Sequence, residues 1–66
     1  MAKIDLIKLL KEGGQDMAAD GMEMNDSVAY ELAGGLLEDP EIVKEAQRMW
    51  PGKSLQTLQE IMADYI

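Results

Sequence analysis

Carboxylates are the side chains of this sequence best placed to do chemistry. Glu38, Glu41 and Glu45 recur at spacings of three and four, which put acids on one face of a helix. Paired carboxylates carry out general acid–base work when burial drives their pKa values apart. Nothing in the flanking residues suggests a pocket around them, and a small bundle has little room for one. The expectation is therefore solvated helix surface, with Lys44 offsetting the like-charged Glu41/Glu45 pair. Ser27 and Ser54 are hydroxyl candidates for a nucleophile. The sequence contains no histidine and no cysteine, so they lack the commonest general base. The same absence removes thiol nucleophiles, disulfides and thiolate zinc sites. No glycine-rich phosphate loop follows a strand. The chain is expected to bind and not to catalyse, with no cofactor and no resident metal.

Two short segments resemble known sites. Asp16 to Ser27 is similar to a calcium-binding loop, with Asp16, Asp20 and Gly21 in its first, fifth and sixth places. Ala18 and Ser27 stand where two further oxygen ligands belong, and the bland alternative is a solvated acidic turn. Asp26-Ser27-Val28 resembles the Asp-Ser-Leu site of the acyl carrier proteins, which are also small, acidic and helical. That resemblance implies a phosphopantetheine arm on Ser27. It covers only a few residues, and Glu31-Leu32 falls one residue earlier than the family's glutamate-leucine pair. On the residues alone, Asp26 and Ser27 are helix-capping types.

The charge pattern is the more informative signal. The chain carries a formal net charge of −7 in 66 residues. Between Glu12 and Val43 lie nine acids (Glu12, Asp16, Asp20, Glu23, Asp26, Glu31, Glu38, Asp39 and Glu41) and no lysine or arginine. Lys3, Lys8 and Lys11 make the preceding residues basic, and the residues that follow balance. An acidic surface repels phosphate backbones, so direct nucleic-acid binding is not expected. It attracts a basic protein surface. Met17, Met22 and Met24 sit among these acids, and flexible methionines suit either irregular core gaps or an adaptable docking strip. Met49 and Met62 are expected in the core. Trp50 is expected to anchor it, because it continues an apolar helical stripe.

These residues must be positioned by helices. Ala2 to Glu12 reads as a helix stopped by Gly13-Gly14. Gln15 to Met24 reads equally as a short helix broken at Gly21 or as a loop. Asn25, Asp26 and Ser27 start a helix whose apolar face is Val28, Ala29, Leu32, Ala33 and Leu36, and which meets Gly34-Gly35 near its end. Those glycines imply fraying or a close neighbour. Asp39-Pro40-Glu41 is the clearest start signal, with Asp39 as cap and Pro40 in the first position. Pro51-Gly52 ends that helix. Ser54 caps a last one with a stripe of Leu55, Leu58, Ile61, Met62, Tyr65 and Ile66. No segment alternates with a period of two, so no sheet is expected.

The predicted fold is an all-α, compact bundle of three to four short helices, one small domain over residues 1–66. No apolar run has the length of a membrane span and no secretory signal is evident, so the cytosol is the expected compartment. The leading expectation is a small acidic protein-binding module, a stoichiometric inhibitor or regulator of a larger partner such as a nucleic-acid-binding enzyme. A phage inhibitor fits this description, and so does a nucleic-acid mimic. The expected contact residues are Asp16, Asp20, Met22, Glu23, Met24, Asp26, Glu31, Glu38, Asp39 and Glu41. The alternatives are a carrier protein with Ser27 as attachment site and a structural homo-oligomer, for example a homodimer.

Overall fold

Every helix begins where a side chain can accept a hydrogen bond from a free backbone N–H. The computed structural model describes residues 4–66 and contains four helices and no strand among them. Asp5 caps α1 (Leu6–Ala19), accepting from the Lys8 amide at 3.2 Å. Asn25 caps α2 (Asp26–Leu36) through the Val28 amide at 3.0 Å. Asp39 caps α3 (Pro40–Met49) through the Glu41 amide at 3.0 Å, with Pro40 in the first turn. Ser54 caps α4 (Leu55–Tyr65) through the Thr57 amide at 3.2 Å. The fold is the expected all-α bundle.

The main departure is α1. It does not stop at Gly13-Gly14 but runs through both to Ala19, and it starts at Leu6. Ala2 and Lys3, the expected start, lie outside the described residues. Neither glycine ends the helix, and only the second answers a packing demand. Gly14 is buried, and a Cβ on it would stand 2.7 Å from the carbonyl oxygen of Ile66. The real stop is Gly21, at φ +85°. There the Met22 amide donates to the Met17 carbonyl at 3.1 Å and the Gly21 amide to the Ala18 carbonyl at 3.0 Å. This crossed pair of bonds closes a helix when glycine takes the left-handed position beyond it. The ambiguous segment is thus helix as far as Ala19 and a turn and extended loop from Asp20 to Asn25.

Gly34 has a similar role in α2, which continues to Leu36 without a break. A Cβ on Gly34 would stand 2.6 Å from Gln59 Nε2 of α4. The close neighbour implied by the glycine pair is therefore a side chain. Gly35 has open space around it.

The core follows one rule. Each helix buries a pair of residues one turn apart: Leu6 and Leu10, Ala29 and Ala33, Ile42 and Ala46, Leu58 and Met62. Residues four apart lie on one face of a helix, so each pair presents a single stripe inward. The chief packing is α2 on α4, with α1 lying against α4 and α3. Leu6, Leu10, Leu58 and Met62 supply the largest fully buried side chains. Met62 is core as expected, and Met49 packs at its edge.

Trp50 is a correction. It does not sit at the centre but is half-buried at the rim, its ring 5.9 Å from that of Tyr65 and tilted by 30°. The fully buried centre is filled by Leu6, Leu10, Leu58 and Met62, and Trp50 packs against it from the end of α3. Leu55 also departs from its stripe. It is the first residue of α4 and is 55% exposed.

Candidate partner-binding surface

The ten expected contact residues fall at three places along α2. Asp16, Asp20, Met22, Glu23 and Met24 belong to the end of α1 and the loop that follows. Asp26 and Glu31 are on α2. Glu38, Asp39 and Glu41 form the corner between α2 and α3. Eleven residues of helix span about 16 Å, so the loop and the corner lie that far apart at opposite ends of α2. The acids are thus spread along the length of α2, a band in length and not on a single helix face, with Glu31 midway between its ends.

All eight acids among the ten are exposed. Among the described residues the one ion pair is elsewhere, on α3, where Arg48 binds Glu45 with two hydrogen bonds of 2.8 and 2.7 Å. Those bonds and the adjacent negative charge raise the pKa of the Arg48 guanidinium above its ordinary value. Among the described residues the acids of the band have no such partner. Met22 is 49% exposed, Met17 and Met24 are half-buried, and none of the three belongs to the core.

The positions of the acids relative to the helix ends are unequal. Asp26 and Glu41 lie in first turns, where a negative charge complements the helix dipole. Asp39 caps α3, so it has a structural task of its own. Asp16 is in the last turn of α1, and Asp20 caps its C-terminal end. Glu38 and Asp39 follow the end of α2. Neither helix has a basic residue in its last turn. Acids at these ends oppose the dipole, so local stability does not account for Asp16, Asp20 or Glu38.

The segment similar to a calcium loop is loop only from Asp20 to Asn25, with helix on both sides. Asp16 lies within α1, and Ser27 within α2. Among the described residues no three acidic side chains come together in a way that could hold a metal ion. Nor is any described helix long and apolar enough to cross a membrane. Among the described residues four large apolar side chains are exposed: Ile4, Met22, Leu55 and Tyr65. They sit before α1, after α1, and at the two ends of α4.

One feature of the surface escaped the sequence reading. A groove of about 370 Å³ lies between α2 and α4. Ala29, Ala63 and Tyr30 line it, with Asp26, Glu60 and Asp64 around them, and Ser27 is beside it. Tyr30, Glu60 and Asp64 gave no signal in the sequence, because only the docking of α4 on α2 brings them together. Comparison with protein-family models, with curated proteins and with solved structures finds no match. The geometry and electrostatics of the chain's own surface therefore carry the functional reading.

Proposed function

We propose that this small all-α protein is a stoichiometric binding module that occupies a basic surface of a larger protein, as an inhibitor or regulator. One observation carries the reading. The acidic band along α2 is exposed, has no ion pair among the described residues, and includes acids at helix ends where they oppose the dipole. Charges that do nothing for the folded monomer are best explained by an external partner. Complementary charge steers encounter and sets specificity. A nucleic-acid-binding enzyme is the partner class that suits such a surface best, because its own site is built to receive a line of negative charges.

The test compares the chain with a variant in which Asp16 and Asp20 become asparagine and Glu23, Glu31 and Glu38 become glutamine. Asp20 caps α1 through its backbone amide alone, and none of these side chains accepts an N-cap hydrogen bond or lines the groove. Both are immobilised and exposed to lysate of the source organism, then eluted with stepped salt. The expected result is a nucleic-acid-binding protein that is released by moderate salt, is displaced by duplex DNA or by RNA, and is missing from the variant. Capture of the same proteins by both chains would sink the proposal.

A second reading has one specific observation behind it. Ser27 is exposed in the first turn of the second of four helices and borders the α2–α4 groove. An arm attached there would have a cleft beside it, as a carrier protein requires. Incubation with coenzyme A and a phosphopantetheinyl transferase tests this by mass spectrometry. A phosphopantetheine adduct lost in Ser27→Ala supports it, and an unmodified chain rejects it.

A further inference from the structure

We propose that the groove between α2 and α4 receives an arginine side chain of the protein partner. The inference rests on the reading of the chain as a binder of a basic surface, and it gives that surface a central contact.

The groove exists because small residues face one another. Ala29 on α2 is buried and Ala63 on α4 is half-buried, which leaves about 370 Å³ between the helices. The half-buried Tyr30 is the one aromatic residue of its lining. Asp26, Glu60 and Asp64 are exposed around this apolar floor. Neither α2 nor α4 contains a lysine or arginine. The one ion pair of the described residues, Arg48 with Glu45, is on α3. The groove is thus apolar below, negative above, and lacks a cation of its own.

This pattern selects its occupant. An aliphatic stem lies well on alanine, with its charged head held at the carboxylates. A compact metal ion is a poor fit, since no three acids of the described residues converge to hold one. A guanidinium is broad and planar, forms forked hydrogen bonds with carboxylates and stacks on aromatic rings. Arginine is also the basic residue most enriched at protein interfaces. Among side chains it matches the floor, the tyrosine and the rim together.

The test is an NMR titration of the ¹⁵N-labelled chain with two blocked tripeptides, glycine-arginine-glycine and glycine-lysine-glycine. The expected result is saturable shifts confined to residues 26–30 and 60–64, larger for the arginine peptide. The double variant Glu60→Gln/Asp64→Asn, changed only at exposed positions, should weaken binding by about tenfold while its other resonances stay in place. Tyr30→Leu should reduce the preference for arginine over lysine, and Tyr30→Phe should keep it. Equal shifts from both peptides, or no saturable shift in the groove, would overturn the inference. Saturable shifts at residues 16–24 or 38–41 in place of the groove would overturn it and leave the wider reading standing. Failure of the wider reading shows separately, as salt-insensitive capture in the lysate experiment.

Discussion

Gln59 of α4 donates from Nε2 to the backbone carbonyl of Tyr30 in α2, at 2.7 Å and partly shielded from solvent. The bond joins the two helices that pack most closely, and it passes through the space that a side chain on Gly34 would fill. A glycine and a glutamine distant in the sequence are therefore one unit.

That coupling is measurable. Gln59→Ala should cost about 1 kcal/mol, the usual net worth of such a bond. Gly34→Ala should be near neutral in the parent chain, because the gain in helix propensity is offset when Gln59 is displaced. In the Gln59→Ala background the same change should stabilise by about 1 kcal/mol. Urea denaturation of the four proteins in a double-mutant cycle reads the difference. Strict additivity would show that Gly34 and Gln59 are independent.

Adjacent glycines in α1 should respond with opposite signs. A Cβ on Gly13 meets only Leu32, at an ordinary 3.7 Å. Gly13→Ala should stabilise by about 0.5–1 kcal/mol through helix propensity. A Cβ on Gly14 meets the Ile66 backbone, which cannot turn aside as a side chain can. Gly14→Ala should destabilise by about 1–3 kcal/mol, the usual range for overpacking. Chemical melts followed by Trp50 fluorescence decide both signs.

Two leucines in α4 separate depth from sequence pattern. Leu58 is fully buried, and Leu58→Ala should cost about 2–5 kcal/mol. A chain of this length is stable by roughly 3–10 kcal/mol, so this loss should leave a visible unfolded population at 37 °C. Leu55 is 55% exposed, and Leu55→Ala should change stability by less than about 0.5 kcal/mol. Circular dichroism melts distinguish the two, and equal losses would place Leu55 in the core after all.

The acid at the end of α1 offers a change that moves folding and binding in opposite directions. Asp16→Lys places a positive charge in the last turn, where it complements the dipole. The monomer should gain about 0.3–1 kcal/mol at low salt. Binding to the proposed basic partner should weaken, chiefly through a slower association rate. Thermal melts and surface plasmon resonance on the same variant measure the two effects. A variant that is both more stable and an equal binder would remove Asp16 from the proposed contact.

Three of the four N-caps were legible because they are local, while Asp5 reads as helix interior. Asn25, Asp39-Pro40 and Ser54 each act within three residues, so the chain states them directly. The helical stripes were legible for the same reason, since spacing alone decides which face turns inward. What spacing does not decide is depth. Trp50 and Leu55 both continue a stripe, yet one lies at the rim and the other is exposed, because depth depends on which helix covers the stripe. Gly13-Gly14 misled for a related reason. Locally a glycine pair suits a helix end, but the demand for a small residue at Gly14 comes from Ile66 at the far end of the chain. The exposure of the acids followed from their charge. The groove did not follow from anything local, because Ala29 and Ala63 are unremarkable until α2 and α4 are side by side.

The dependence of α2 on α4 also bears on how the chain comes off the ribosome. While α2 is being made, its main packing partner has not yet been translated, and α1 likewise lacks α4. The inward stripes of both helices stay uncovered until the residues of α4 clear the exit tunnel. A nascent or damaged chain that ends before Leu55 would leave Leu6, Leu10 and Ala33 without the cover of α4 and present them to chaperones and proteases.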